Sequence, residues 1–187
     1  MAGELWDAYD REGRPLGFDL VRGKPLAKGV YHLVAEVCAV TRGGCVLVTQ
    51  RHPAKSWGLC WEITGGSVLK GETPLQGAVR ELREETGISV AAACLRPFYT
   101  YEDGSHTIYH SYITIFDPAE QAIRLQEGET VDYRLLPVRE FKRFILTGAF
   151  TDGIRSRFLA HEAAFDRIIA EEINSIGSKR DDHGDYT

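Results

Sequence analysis

The sequence has no C-x-x-C pair. Cys38, Cys45, Cys60 and Cys94 stand apart, so neither a zinc ribbon nor a dithiol redox centre is expected. Basic residues are not in excess. Lys and Arg number 22 against 27 Asp and Glu, and the net charge of -5 argues against a nucleic-acid polymer or an anionic membrane surface as partner. No apolar run approaches the roughly 20 residues of a membrane helix. The opening Met1-Ala2-Gly3-Glu4-Leu5-Trp6-Asp7 has neither the basic run nor the apolar stretch of a signal peptide, so a cytoplasmic location is the expectation. What remains is ordinary: 187 residues, 43% hydrophobic, enough for one domain with a sizeable core.

Local signals order the chain. Leu5 to Phe18 reads as two short extended pieces around Asp10-Arg11-Glu12-Gly13. Tyr31 to Thr41, where Cys38 suits a small buried apolar position, and Cys45 to Gln50 are β-rich and joined by Arg42-Gly43-Gly44. A helix over about 74–86 comes next, then strands at Ala93 to Tyr101, Thr107 to Phe116 and Thr130 to Leu136. Pro137 opens a helix to about Leu146. Asp152 caps a longer one to about Ile173, with Ile154, Phe158, Phe165, Ile168, Ile169 and Ile173 at roughly helical spacing. The order argues for α+β or mixed α/β layers. Residues 1–176 read as a single domain with a short N-terminal β extension, and 177–187 as a polar, disordered tail.

The chemistry concentrates after Gly65-Gly66. Thr73 suits a helix N-cap, Pro74 the first helical position, Gln76 the far end of a capping box and Gly87 the C-terminal stop. At 3.6 residues per turn Leu75, Ala78, Val79, Leu82 and Thr86 share one side, while Glu81, Glu84 and Glu85 share another. Like charges at that spacing repel, which by itself suits a solvated acidic face partly offset by Arg80 and Arg83. Beside a glycine turn, however, converging carboxylates suit a hard divalent cation that keeps open positions for diphosphate oxygens.

Residues 66–88 resemble the Nudix box, G-x5-E-x7-R-E-U-x-E-E-x-G-U with U apolar. Gly66, Glu72, Arg80, Glu81, Leu82, Glu84, Glu85, Gly87 and Ile88 match every specified position. From average residue usage such a match arises by chance with a probability on the order of 10⁻⁷, so the motif outweighs the solvated-face reading. The resemblance implies an α/β/α sandwich with a mixed β-sheet between helices. It also implies hydrolysis of the diphosphate linkage in a nucleoside diphosphate-X or other organic diphosphate. Mg²⁺ is the implied cofactor, with Mn²⁺ as an alternative, and a homodimer is compatible with the family. By the same resemblance Glu84 and Glu85 are the principal metal ligands, with the carbonyl of Gly65 as a third. Glu81 is a ligand or the general base, Arg80 orients it, and Glu72 holds the loop-helix geometry. A further ligand or base outside the box falls to Glu127 or Glu129.

Substrate selection is less legible. Arg51 is a candidate phosphate contact or merely a strand-end cation. Trp57 and Trp61 stack on a ligand or pack loops, and His106 and His110 carry no ligand pattern. The opening Glu4-Leu5-Trp6-Asp7 with Gly13 and His32 resembles an isopentenyl-diphosphate-isomerase-like branch of the superfamily. That branch uses a Cys-Gly-His context where this chain has Thr64-Gly65-Gly66-Ser67, so isomerase chemistry is not expected. A non-catalytic Nudix-like binding module is the other alternative, and it gives no reason to keep Glu81, Glu84 and Glu85 together.

Overall fold

The computed structural model describes residues 3–181. Its centre is a mixed sheet built on β3 (His32–Thr41), a run rich in β-branched and small apolar residues. β3 lies parallel to β8 (Thr107–Phe116) along its whole length. It is antiparallel to β4 (Cys45–Arg51) and to β6 (Thr64–Ser67). β4 in turn holds β5 (Trp61–Glu62) and β9 (Thr130–Pro137), and β7 (Arg96–Glu102) closes the other edge against β8.

Strand periodicity decides what each face of β3 meets. Leu33, Ala35, Val37 and Ala39 pack on one side with Ala78 and Leu82 of α1 (Pro74–Thr86). Cys38 and Val40 pack on the other, with Phe141 of α2 (Val138–Phe144) and Phe158 and Phe165 of α3 (Asp152–Asp181). The sheet therefore lies between helices, and Glu36, in phase with Cys38 and Val40, faces the α3 layer. Burial pushes the Cys38 thiol up to about 12, in keeping with a small apolar filler.

The α3 layer is aromatic. Phe141 and Phe158 meet edge-on with centroids 5.1 Å apart, as do Phe158 and Phe165. Each fully buried ring contributes on the order of 1.5–3 kcal/mol. At the N-terminus a separate hairpin of β1 (Leu5–Tyr9) and β2 (Pro15–Val21) buries Trp6, Ala8 and Leu20. Trp6 stacks on His32 at 4.3 Å, which ties this hairpin to the start of β3.

The 74–86 helix and its caps match the expectation. Three other elements differ. Ala92–Cys94 form a 3₁₀ turn, so the strand expected from Ala93 starts at Arg96. Pro137, lacking an N–H, caps α2 from outside, and that helix stops at Phe144. α3 runs on past Ile173 to Asp181, so the start of the expected tail is helical, and residues 182–187 lie outside the described residues. Among the described residues no helix is long and apolar enough to cross a membrane.

Candidate active site

The site begins with the capping of α1. Thr73 Oγ1 accepts from the Gln76 N–H at 3.3 Å, and Gln76 Oε1 accepts from the Thr73 N–H at 2.8 Å. At the other end Gly87 adopts φ 75, and its N–H reaches the Arg83 carbonyl. With both ends fixed, Ala78, Leu82 and Thr86 are buried against β3 and β6. The three glutamates are thereby turned towards Gly65 and Gly66. The two glycines are required sterically. A Cβ on Gly65 would come within 2.7 Å of the Ala35 carbonyl, and one on Gly66 would overlap the Glu81 carboxylate.

Arg80 organises the acidic face. Its Nε donates to Glu72 Oε1 at 2.8 Å and its Nη2 to Glu72 Oε2 at 2.9 Å. The same Nη2 bonds the Ser67 carbonyl at 2.9 Å, while Nη1 bonds Glu81 at 2.7 Å and Glu84 at 3.1 Å. Glu72 also accepts from the Leu69 N–H at 3.0 Å. Its hydrogen bonds to Arg80, helped by the Leu69 N–H, hold its carboxyl below the ordinary value. Through these bonds Glu72 and Arg80 tie the loop to the helix.

Glu85 is in the opposite situation. It is 3% exposed, and burial, reinforced by Glu62 and Glu81, pushes its carboxyl up to about 8. Glu81 is raised as well, first by burial and then by Glu84 and Glu4, against the opposing pull of Arg80. Glu62 is raised by burial despite Arg51. Carboxylates in this state gain most from a nearby cation.

Among the described residues no three His, Cys, Asp or Glu side chains close up into a metal cage. The donors present are nonetheless hard oxygens on one wall of a cleft of about 310 Å³, with Arg80 Nη1 covering part of the acidic face. An open half-shell of carboxylates fits Mg²⁺ or Mn²⁺, which retain water and take substrate oxygens. Glu84 and Glu85 are the residues that would hold it, with Glu81 beside them as a further ligand or the base. Gly65 lines the same cleft, where its N–H lies 3.4 Å from Glu85 Oε2.

The candidates outside the box separate. Glu129 lines the cleft and is ion-paired to Lys55. Glu127 is exposed and does not line it. Arg51 lines the cleft but is not a free strand-end cation. Its Nη1 is held by both oxygens of Glu62, at 2.6 and 2.8 Å, and its Nε donates to the Ser56 carbonyl. Trp61 is buried beneath Arg134, whose guanidinium carbon is 4.3 Å from the ring centroid, whereas Trp57 is 63% exposed.

Other groups at the site carry no sequence signal. Glu62 and Lys55 sit in unpatterned stretches, and Glu4 and Arg22, ion-paired at 3.1 Å, reach the cleft from the N-terminal hairpin. Arg157 is paired with Glu36 across 121 residues and lies 3.6 Å from the Tyr109 ring centroid. In the sequence Arg157 is a charge within a helix. Only the inward phase of Glu36 in an apolar strand hinted at a buried partner.

The chain is similar to known proteins. A family model described as the NUDIX domain matches residues 30–155. An uncharacterized Nudix hydrolase of Listeria monocytogenes is 33% identical over 151 residues, covering 79% of this chain and 88% of that protein. A crystal structure from Deinococcus radiodurans superposes with a TM-score of 0.69 at 18% identity, covering 84% of this chain and 99% of the other. A bifunctional NMN adenylyltransferase/ADP ribose pyrophosphatase from Francisella tularensis, complexed with AMP and a manganese ion, superposes with a TM-score of 0.56. At 20% identity, covering 80% of this chain and 43% of that one, it speaks for the fold alone.

Proposed function

Since the chain belongs to the Nudix hydrolase family, we propose that it hydrolyses the diphosphate linkage of a nucleoside diphosphate-X or other organic diphosphate, with Mg²⁺ or alternatively Mn²⁺. The observation that carries this reading is Glu85: a carboxylate 3% exposed, raised to about 8, beside Glu81 and below Gly65 and Gly66. We place the reaction in the cytoplasm and on a small molecule, catalysed by a chain free to act alone or as a homodimer.

When bound, the cation neutralises charge on the diphosphate oxygens. The rest falls to side chains. Glu81, raised by burial and held by Arg80 at 2.7 Å, is the base that takes a proton from the attacking water. Glu129 is second in line because Lys55 already neutralises it. Arg51 and Lys55 also border the cleft, where each would reach a diphosphate oxygen by sharing or giving up its carboxylate partner. No nucleophile is needed. Cys60 stands outside the cleft lining, and Thr64 to Ser67 contain no thiol.

A metal-supplemented screen of organic diphosphates in ¹⁸O-water tests this. The expected result is metal-dependent turnover with one labelled oxygen in a phosphate product. Label appearing only on carbon, or loss of turnover in a folded Cys60→Ala variant, overturns the mechanism.

A further inference from the structure

The two outer strands of the sheet are finished differently. β7 carries Pro97 and a register shift between Pro97 and Tyr99, and its Arg96 is ion-paired to Glu171 and Glu172 of α3 at 2.9 and 2.6 Å. A proline, a bulge and a covering helix keep an edge strand from pairing with another chain. Among the described residues β9 pairs with β4 alone, so its other edge is open. Its register shift lies between Thr130 and Asp132 and its proline is the last residue, which leaves Asp132 to Leu136 regular. Val131 to Arg134 are all exposed.

The ladder fixes which backbone groups face that edge. The Val138 N–H bonds the Gly44 carbonyl at 3.1 Å, one step along the register that pairs Cys45 with Pro137 and Gln50 with Asp132. Bonded and non-bonded pairs alternate along an antiparallel ladder. Leu136, Arg134 and Asp132 therefore direct their N–H and C=O groups to β4, while those of Leu135 and Tyr133 point outward. In keeping with this, the Tyr133 N–H is met by the Asp132 carboxylate at 2.8 Å. Arg51, one step beyond Gln50, turns its N–H away from β9 to the Cys60 carbonyl at 3.0 Å.

Opposite charges flank the outward tyrosine. Asp132 and Arg134 share one face of the strand, where Arg134 covers the Trp61 ring at 4.3 Å, and among the described residues neither has an ion-pair partner. Like charges directly opposite each other across a ladder destabilise it, and opposite charges support it. An antiparallel second copy centred on Asp132 would set Asp132 against Asp132, and one centred on Arg134 would set Arg134 against Arg134. Centred on Tyr133, the pairing sets each Asp132 opposite Arg134 of the second copy and brings Val131 towards Leu135. Guard charges on an edge repel another copy, whereas this arrangement attracts one.

Apolar surface lies on both sides of the ladder. Val131 and Tyr133 are 44% and 41% exposed, and Leu136 and Phe144 line an open groove of about 300 Å³ on the other face. A specific dimer needs roughly 800 Å² from each partner. A short strand ladder does not supply that by itself, and these flanking surfaces are the source of the rest.

We infer that β9 is the interface of a symmetric homodimer, in which two copies join edge to edge about a two-fold axis at Tyr133. The Tyr133 N–H exchanges the Asp132 carboxylate for the Tyr133 carbonyl of the second copy, and Asp132 turns to Arg134 of that copy. The inference does not depend on the hydrolase reading, and none of residues 131–136 lines the cleft.

Light scattering on size-separated protein tests it. Wild type should show twice the chain mass. Tyr133→Pro should give a folded monomer, because it removes an outward N–H and no bond to β4. Asp132→Lys and Arg134→Glu should each raise the dimer Kd about tenfold, since both symmetry-related pairs turn repulsive at once. The two substitutions together restore opposite charges and should return Kd to within about twofold of wild type. Circular dichroism checks the fold of each variant, and if Tyr133→Pro unfolds, the charge variants decide. A wild-type monomer at the highest soluble concentration overturns the inference. So does a dimer indifferent to both single charge variants or to a folded Tyr133→Pro, which puts the interface elsewhere. A double variant no tighter than the singles overturns the Tyr133 register and the inference with it.

Discussion

Two arginines, one on each side of the sheet, organise glutamates in different surroundings. Arg80 lies at the cleft, its side chain 17% exposed, and its partner Glu72 is eight residues away in the chain. Arg157 is 6% exposed on the α3 side, joined to Glu36 of β3 and stacked over Tyr109. Glu36 is 4% exposed by side chain and also accepts from the Tyr99 hydroxyl at 2.7 Å. Where solvent still reaches, an ion pair contributes little to stability and is free to orient catalytic groups. Where it does not, removing one partner leaves an uncompensated buried charge.

The largest expected effect follows from that contrast. Arg157→Met should destabilise the fold by about 3–5 kcal/mol in denaturant unfolding. Combining it with Glu36→Leu should recover part of the loss, because the stranded carboxylate goes with its partner. Arg80→Met should cost about 1 kcal/mol of stability yet lower turnover sharply. If Arg80→Met proves the more unfolded of the two, the division between an orienting pair and a fastening pair is wrong.

Within the cleft, Glu84→Gln and Glu85→Gln should each lower metal-dependent turnover by about 10²–10³ while leaving the protein folded. Near-wild-type rates in either variant would remove the metal assignment, however well the cleft is shaped.

Glu85 sharpens the comparison further, since it is buried like Glu36 but has no arginine. Its carboxyl is at about 8 when folded against an ordinary 4.5, so between those values the folded state holds a proton that the unfolded state has released. Stability of metal-free protein should therefore be fully present below about pH 4.5 and fall as pH rises towards 8, by at most about 1.4 kcal/mol per pH unit. Glu85→Gln should flatten this slope and melt above wild type at pH 8. Saturating Mg²⁺ should remove the difference by favouring the ionised form. A metal-free melting temperature that rises over this window would show that Glu85 is not the group being titrated.

The same contrast explains what could be read from sequence. The Arg80 group lies within one continuous stretch of 23 residues, where capping, helical phase and glycine spacing are local quantities. Helix α1 therefore appears with its expected ends, and Glu81, Glu84 and Glu85 on its expected face. The Arg157 group assembles from β3, β7, β8 and α3, brought together by strand pairing that no local pattern encodes. Arg51 illustrates the cost of this. Its position at a strand end was evident, but its fixation by Glu62 depends on β5, a two-residue strand too short to show alternation. Of Glu127 and Glu129, equivalent in sequence, Glu129 faces the cleft.

The smallest effect should come from Glu72→Gln. Glutamine keeps an acceptor for Arg80 and for the Leu69 N–H but gives up one of the two oxygens that grip the guanidinium. The loop-helix junction should loosen without losing a reacting group, so turnover should fall only about tenfold, well short of Glu84→Gln. The pH profile supplies a signature that mere loosening does not. Arg80, no longer neutralised by Glu72, acts more strongly on Glu81, which it already bonds at 2.7 Å. That favours the ionised carboxylate and lowers the pKa of Glu81, so the acidic limb of the activity profile should move to lower pH. A limb that stays in place while turnover drops would make Glu72 a fold-holding residue with no influence on the base. A limb that moves upward would mean that Arg80 has left Glu81 and that the orienting chain from Glu72 through Arg80 to Glu81 is not how the site works.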